Sequence, residues 1–231
     1  LPREVEFTIP ERHLGLLTAD EEPISRQQLA SLAEAIEAHI DLDALLRVAK
    51  RRLPKIDRMA RQSSDPRPCR LGIARDQAFC FYYEDNLELF REAGFALTFF
   101  SPMTDHELPK GLDGIYLGGG YPELHAARLS ANENMKESLR QWIEDDGVVY
   151  AECGGLMYLG ERLALKEGSF DMAGVLPAVF GFSRRPQGHG YAEATVDRDN
   201  PFFPIGAELK GHEFHYSRVI EGAEEAQTVL A

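Results

Sequence analysis

Tyr150-Ala151-Glu152-Cys153-Gly154-Gly155-Leu156-Met157 brings the chain to a cysteine as a strand and takes it away, two glycines later, as a helix. Val148–Ala151 is a short apolar run suited to a buried strand, and helical residues resume at Leu156. A turn of this kind forces its central residue into a strained backbone conformation, so the flanking residues must be small. Ala151 and Gly155, two positions either side of Cys153, meet that need. With sulfur in place of a serine oxygen, this is the setting of a nucleophile elbow. The start of the helix would favour thiolate over thiol through its dipole and its free N–H groups. The Gly154 N–H would point to where a tetrahedral oxyanion forms. A structural cysteine buried at a strand end is the competing reading of this motif alone.

Outward from the elbow, strands alternate with helices. Leu71–Ala74, Ala96–Phe100 and Gly114–Leu117 are apolar strands that precede Val148–Ala151. Asn86–Ala93 carries Leu87, Phe90 and Ala93 on one stripe, with Gly94 as its stop. Met135, Leu139, Trp142 and Ile143 recur at helical spacing before Gly147. Such alternation predicts an α/β fold whose mostly parallel sheet is flanked by helices, with the site at the C-terminal ends of the strands. After Phe170 the helical pattern fades, and pieces such as 191–196 predict an antiparallel flank. The first 68 residues read as a linker and helical extension, and 69–231 as the main domain. In the extension, Ser25 and Gln28 form a capping-box pattern ahead of a helix through Leu29, Leu32, Ala33 and Ile36. A second helix runs through Leu42, Leu45, Leu46 and Ala49 into Lys50-Arg51-Arg52, cations that suit a helix C-terminus, and Pro54 stops it. RQSSDPRP at 61–68 is a linker by composition.

Composition narrows the function. In 231 residues, 44% hydrophobic and 27% charged, the balance is that of a globular chain. No run is long and apolar enough to span a bilayer, and LPREVEFTIPER has no signal-peptide pattern. The lack of a starting Met implies a chain cut from something longer. A net charge of −13 argues against a nucleic-acid partner. Three cysteines, Cys69, Cys80 and Cys153, cannot all pair, which points to a reducing cytoplasm and to Cys153 as a free thiol.

Gly118-Gly119-Gly120 follows the third strand directly. Three glycines there let the backbone approach a ligand and present N–H donors, the second half of an oxyanion hole. Neither a Walker nor a dinucleotide glycine pattern is present. A cysteine nucleophile also needs a base. His13 and His39 lie in the extension, His106 in an acidic loop and His125 in a turn. His215, in the strand-like Gly211–Tyr216, is the preferred base, with His212 as a neighbour that supports or binds and His189 third. A metal site on His212, Glu213 and His215 is disfavoured, because a period of two puts His212 on the face opposite the others.

At these residues a family resemblance emerges. NLELFREAGF (86–95), FFSP (99–102), LPKGLDGIYLGGGYPELHA (108–126), YAECGGLMYL (150–159) and GHEFHYS (211–217) span about residues 69–218 in order. Together they resemble the C-terminal glutaminase domain of the cobyrinate a,c-diamide synthase family. That family lies in the cobalamin-pathway branch of the class I glutamine amidotransferases, whose fold is flavodoxin-like. PERHLGL (10–16) resembles the segment that leaves the family's N-terminal ATP-binding domain. The resemblance implies glutamine as substrate, Cys153 as nucleophile and His215 as its base. It implies Gly119, Gly120 and Gly154 as oxyanion and substrate donors, with no metal or cofactor held in this chain. ATP and Mg2+ are then expected in the N-terminal synthetase domain, and the ammonia acceptor is a cobyrinate-type tetrapyrrole, with hydrogenobyrinate or nickel sirohydrochlorin as alternatives. A non-catalytic docking module is the alternative of a different class. Tyr82, Tyr83 and Asn86 resemble a segment near the interdomain cleft, where they would touch the macrocycle or the partner domain. Elsewhere in the superfamily a Glu two residues after the histidine orients it; here that position is Ser217, leaving Glu213 or a backbone carbonyl for the role.

Overall fold

The computed structural model describes residues 24–50 and 68–222. The chain forms two compact units, Leu1–Ala60 and Arg61–Ala231. His13, the 10–16 segment, Arg51, Arg52, Pro54 and all of the expected linker except Pro68 lie outside the described residues.

In the first unit, α1 (Arg26–His39) opens on a complete capping box. The Gln28 N–H donates to Ser25 Oγ at 3.2 Å, and the Ser25 N–H donates to Gln28 Oε1 at 2.9 Å. Two N–H groups with no partner inside the helix are thereby satisfied. Helix α2 (Leu42–Ala49) is capped by Asp41, which accepts from the Ala44 N–H at 2.8 Å.

The second unit is built on four parallel strands, β1 (Arg70–Ala74), β2 (Ala96–Phe100), β3 (Gly114–Leu117) and β4 (Val149–Ala151). They lie in the order β2-β1-β3-β4. Alternation along the strands sorts their side chains onto two faces. Leu71 and Ile73 pack under α3 (Glu84–Glu92) with Leu87, Phe90, Phe95 and Tyr116. Ala74, Ile115 and Leu117 face the larger core, where they meet Leu129 of α4 (Ala126–Ala131), Met135 and Leu139 of α5 (Glu133–Glu144) and Met157 of α6 (Gly154–Leu159). Helix α3 begins two residues before the expected Asn86, because Glu84 and Asp85 suit the positive end of a helix. Gly94 ends that segment at φ 93°, as its position predicts. At the end of α5 the left-handed residue is Asp146, φ 60°, rather than Gly147. Gly147 is required for space, since a Cβ there would lie 2.3 Å from the Trp142 indole.

Beyond α6 the chain builds a second sheet from β5 (Arg162–Leu165), β6 (Gly168–Asp171), β7 (Val179–Phe182) and β10 (Ser217–Glu221), in the order β10-β7-β5-β6. Its outer pairs are antiparallel and β5–β7 is parallel. Strands β8 (Gly188–Thr195) and β9 (Glu208–His215) form a separate antiparallel hairpin that contains the expected 191–196 strand. One residue, Tyr216, separates β9 from β10, so His215 sits at the corner where the hairpin feeds the second sheet. Among the described residues, no helix is long and apolar enough to cross a membrane.

Candidate active site

Cys153 stands between β4 and α6 with φ 50° and ψ −113°, a conformation that L residues rarely adopt. The turn around it is closed by the Gly155 N–H, which donates to the carbonyls of Glu152 and Gly118 at 2.9 Å each. A Cβ on Gly155 would lie 2.1 Å from the Leu117 carbonyl oxygen, so only glycine lets α6 start this close to β3. The strand–turn–helix elbow expected from the sequence is therefore present, and at Gly155 the small flank serves the predicted purpose.

The glycine loop after β3 lies against the same cysteine. A Cβ on Gly119 would be 3.4 Å from Cys153 Cβ, and one on Gly154 would be 3.2 Å from the Gly120 nitrogen. The N–H groups of Gly120 and Gly154 both donate to the Cys153 sulfur. Peptide planarity explains the aim of the first. The Gly119 carbonyl accepts from the Cys80 and Phe81 N–H groups at 3.0 Å, so the N–H on the other side of that trans peptide is turned away from them. Gly119 thus contributes its carbonyl to the loop's anchorage, while the donors converging on sulfur come from Gly120 and Gly154.

Although Cys153 is exposed at the surface, the packed backbone encloses it from within, and this desolvation pushes its thiol pKa up. The two N–H donations oppose the rise, and the charges of Glu123 and Glu152 add to it. The helix-start argument alone predicted a thiolate; burial outweighs it, and the resting group is the thiol. Labelling of Cys153 by iodoacetamide without glutamine is therefore expected to rise about tenfold per pH unit and to keep rising past pH ~8.5, the ordinary thiol value. Peptide mapping separates Cys153 from Cys69 and Cys80. A plateau below pH ~8 would show that the thiolate is already favoured.

His215 is half-buried, and its Nδ1 lies 2.8 Å from the Ser217 carbonyl oxygen. A carbonyl only accepts, so Nδ1 is the nitrogen that carries the proton here, and Nε2 is the one that can take a proton when the ring is neutral. Ser217 thus orients the histidine through its backbone, where the sequence left a choice between Glu213 and a carbonyl. Gly188 pairs with His215, and a Cβ on it would fall 2.4 Å from His215 Nε2 and 2.9 Å from Glu213 Oε2. Cross-strand pairs place Tyr191 with His212 and His189 with Phe214, with ring centroids 5.7 and 5.6 Å apart, on the face opposite Glu213 and His215. Among the described residues, no hydrogen bond joins His215 to Cys153.

The remaining candidates separate. Tyr83 and Asn86 are exposed at the start of α3. Tyr82 is turned inward: its hydroxyl donates to the Ala74 carbonyl at 2.5 Å and accepts from the Gly118 N–H at 2.8 Å. That the Ala78–Tyr82 segment laces the glycine loop in place escaped the sequence reading, which gave Tyr82 a different role. The segment's bonds span roughly forty residues, and no local pattern encodes them.

A cysteine at a strained elbow, faced by two backbone N–H groups on an open parallel sheet, is an arrangement chemically suited to acyl transfer. Residues 70–231 match the CobB/CobQ-like glutamine amidotransferase domain, and the chain belongs to that family. Among curated relatives, the cobyrinate a,c-diamide synthase of Syntrophotalea carbinolica is 43% identical over 215 residues, covering 92% of this chain and 47% of the relative. Enzymes of the same name from Caldanaerobacter subterraneus subsp. tengcongensis and Dehalococcoides mccartyi are 39% and 42% identical, covering 100% and 95% of this chain and 51% and 48% of theirs. The chain spans about half the length of these relatives.

Proposed function

We propose that this chain is the glutamine-hydrolysing half of an ATP-dependent amidoligase that acts on a cobyrinate-type tetrapyrrole in the cytoplasm. The observation that carries the reading is Cys153, held at φ 50° with the Gly120 and Gly154 N–H groups aimed at its sulfur. In the reaction, the sulfur attacks the side-chain amide carbon of glutamine while His215 Nε2 takes the thiol proton. The carbonyl oxygen becomes an oxyanion, which Gly120 and Gly154, with Gly119 holding the loop, receive by hydrogen bonding. His215 returns the proton to the leaving nitrogen, ammonia departs, and a γ-glutamyl thioester remains. Water, deprotonated by the same histidine, hydrolyses the thioester to glutamate and restores the thiol. ATP and Mg2+ belong to the other half of the longer protein, where the a- and c-acetate carboxylates are activated for amidation. The names of the relatives supply this assignment of the acceptor.

The resting geometry supports tight coupling between the halves. A neutral thiol with no hydrogen bond to His215 is a poor nucleophile, and docking of the synthetase half would bring the base to the sulfur. The 231-residue chain alone is therefore expected to release ammonia from glutamine at least about 10²-fold more slowly than the full-length protein with ATP and macrocycle, the scale of one misplaced oxyanion donor. Assays with cobyrinate, hydrogenobyrinate and nickel sirohydrochlorin identify the acceptor by the amide formed. Equal turnover by the chain alone would defeat the coupling, and no glutamine hydrolysis under any condition would defeat the function.

A further inference from the structure

We propose that Tyr82 is a positioning residue for the oxyanion loop, its hydroxyl standing as a spacer between strands β1 and β3 so that the Gly118–Gly120 backbone meets Cys153. This inference rests on the glutaminase reading for its kinetic consequence and on geometry alone for the placement.

The register of the sheet shows what the hydroxyl replaces. Strands β1 and β3 pair Leu71 with Gly114, Gly72 with Ile115 and Ile73 with Tyr116. One step further, Ala74 would pair with Leu117, and the ladder bond would run from the Gly118 N–H to the Ala74 carbonyl. Those two groups are instead bridged by the Tyr82 hydroxyl, which accepts from Gly118 at 2.8 Å and donates to Ala74 at 2.5 Å. The hydroxyl can do both only while it is protonated, and burial keeps its pKa well above the ordinary phenol value. The β1–β3 pairing ends at Ile73 and Tyr116, and the hydroxyl stands between the two strands just beyond that point.

Gly118 is held from both sides at this point. Its N–H is fixed by Tyr82, and its carbonyl accepts from the Gly155 N–H of the elbow at 2.9 Å. The next anchors are backbone bonds, Cys80 and Phe81 to the Gly119 carbonyl and Tyr121 to the Ala78 carbonyl, each 3.0 Å. Tyr82 therefore adds a side-chain tether to the loop beside these backbone bonds. The fit is close: a Cβ on Gly118 would lie 2.6 Å from the Tyr82 ring, which itself meets Tyr116 edge-on at 5.3 Å.

Tyr82→Phe keeps the ring and removes only the bridging oxygen. In the full-length protein, glutaminase kcat is expected to fall on the order of tenfold, a fraction of the loss of a whole oxyanion donor, with KM for glutamine changed less than about threefold. Hydrogen exchange read on peptides covering 117–121 is expected to be faster in the variant. An unchanged kcat with unchanged exchange overturns the proposal. So does a lower kcat with unchanged exchange, or a change confined to KM, which would mark a substrate contact. If the wild type itself hydrolyses no glutamine yet the loop exchanges faster in the variant, the positioning stands and the glutaminase reading falls.

Discussion

Cys153→Ser is expected to abolish glutamine-dependent amidation by the full-length protein while leaving its ammonia-dependent amidation intact. Serine differs by one atom and can occupy the same left-handed position, so the elbow and its hydrogen bonds from Gly120 and Gly154 persist. What changes is the nucleophile: a hydroxyl is far harder to deprotonate than a thiol, and His215 makes no hydrogen bond to residue 153 in the resting site. Loss of a nucleophile costs on the order of 10⁴–10⁶ in kcat, which places the variant's glutaminase below ordinary detection. On the proposed reading free ammonia bypasses the elbow, because amidation would take place in the other half. Two measurements suffice, product formed from glutamine and product formed from ammonium at high pH. Wild-type turnover with glutamine would remove Cys153 from the chemistry. Loss of both nitrogen sources in a folded variant would show that the two activities share one site.

The parts legible in the sequence are those encoded locally. The Ala96–Phe100 and Gly114–Leu117 strands appear at the expected residues because each is a short, largely apolar run that ends at a polar or glycine residue, Ser101 and Gly118. The elbow was legible because small residues at 151 and 155 are a steric demand, and Gly155 meets Leu117 as that demand requires. Three features were not legible, each for a physical reason. The Tyr82 bridge joins positions 74, 82 and 118, and nothing in FYYEDN marks which tyrosine turns inward. The Ser217 carbonyl that orients His215 is a backbone atom, so the side chain at that position carries no sign of it. The protonation state of Cys153 depends on a balance between burial, two N–H donors and two carboxylates, and the helix-start argument weighed only one of these. The order β10-β7-β5-β6 follows the same logic, since β10 reaches β7 only after the hairpin of β8 and β9 has been inserted between them.

Gly120→Ala is expected to cost both stability and activity, and the two losses test different claims. A Cβ on Gly120 would sit 2.1 Å from the Ala78 carbonyl oxygen and 2.8 Å from its carbon. Both are backbone atoms, so relief requires the Ala78–Tyr82 segment to move as a whole. That segment ends the Tyr121 N–H bond at 3.0 Å and supports the Phe81–Tyr121 edge contact at 5.1 Å. Overpacking of this kind costs about 1–3 kcal/mol. At roughly 2–4 °C per kcal/mol for a chain of this size, Tm should fall by several degrees. The Gly120 N–H moves with its Cα, away from the sulfur to which it now donates, and loss of one oxyanion donor lowers kcat on the order of 10²–10³. Gly211→Ala is the matched control: a Cβ there has nothing within 4 Å, and the change should stay within about 0.5 kcal/mol with kcat unaltered. A Gly120→Ala protein that melts several degrees lower yet keeps wild-type kcat would uphold the packing argument and strip Gly120 of its place in the oxyanion hole. The donors would then have to be sought at Gly154 and at the Gly119 N–H, because the Gly119 carbonyl is engaged by Cys80 and Phe81 and the only donor on that peptide is the Gly120 N–H.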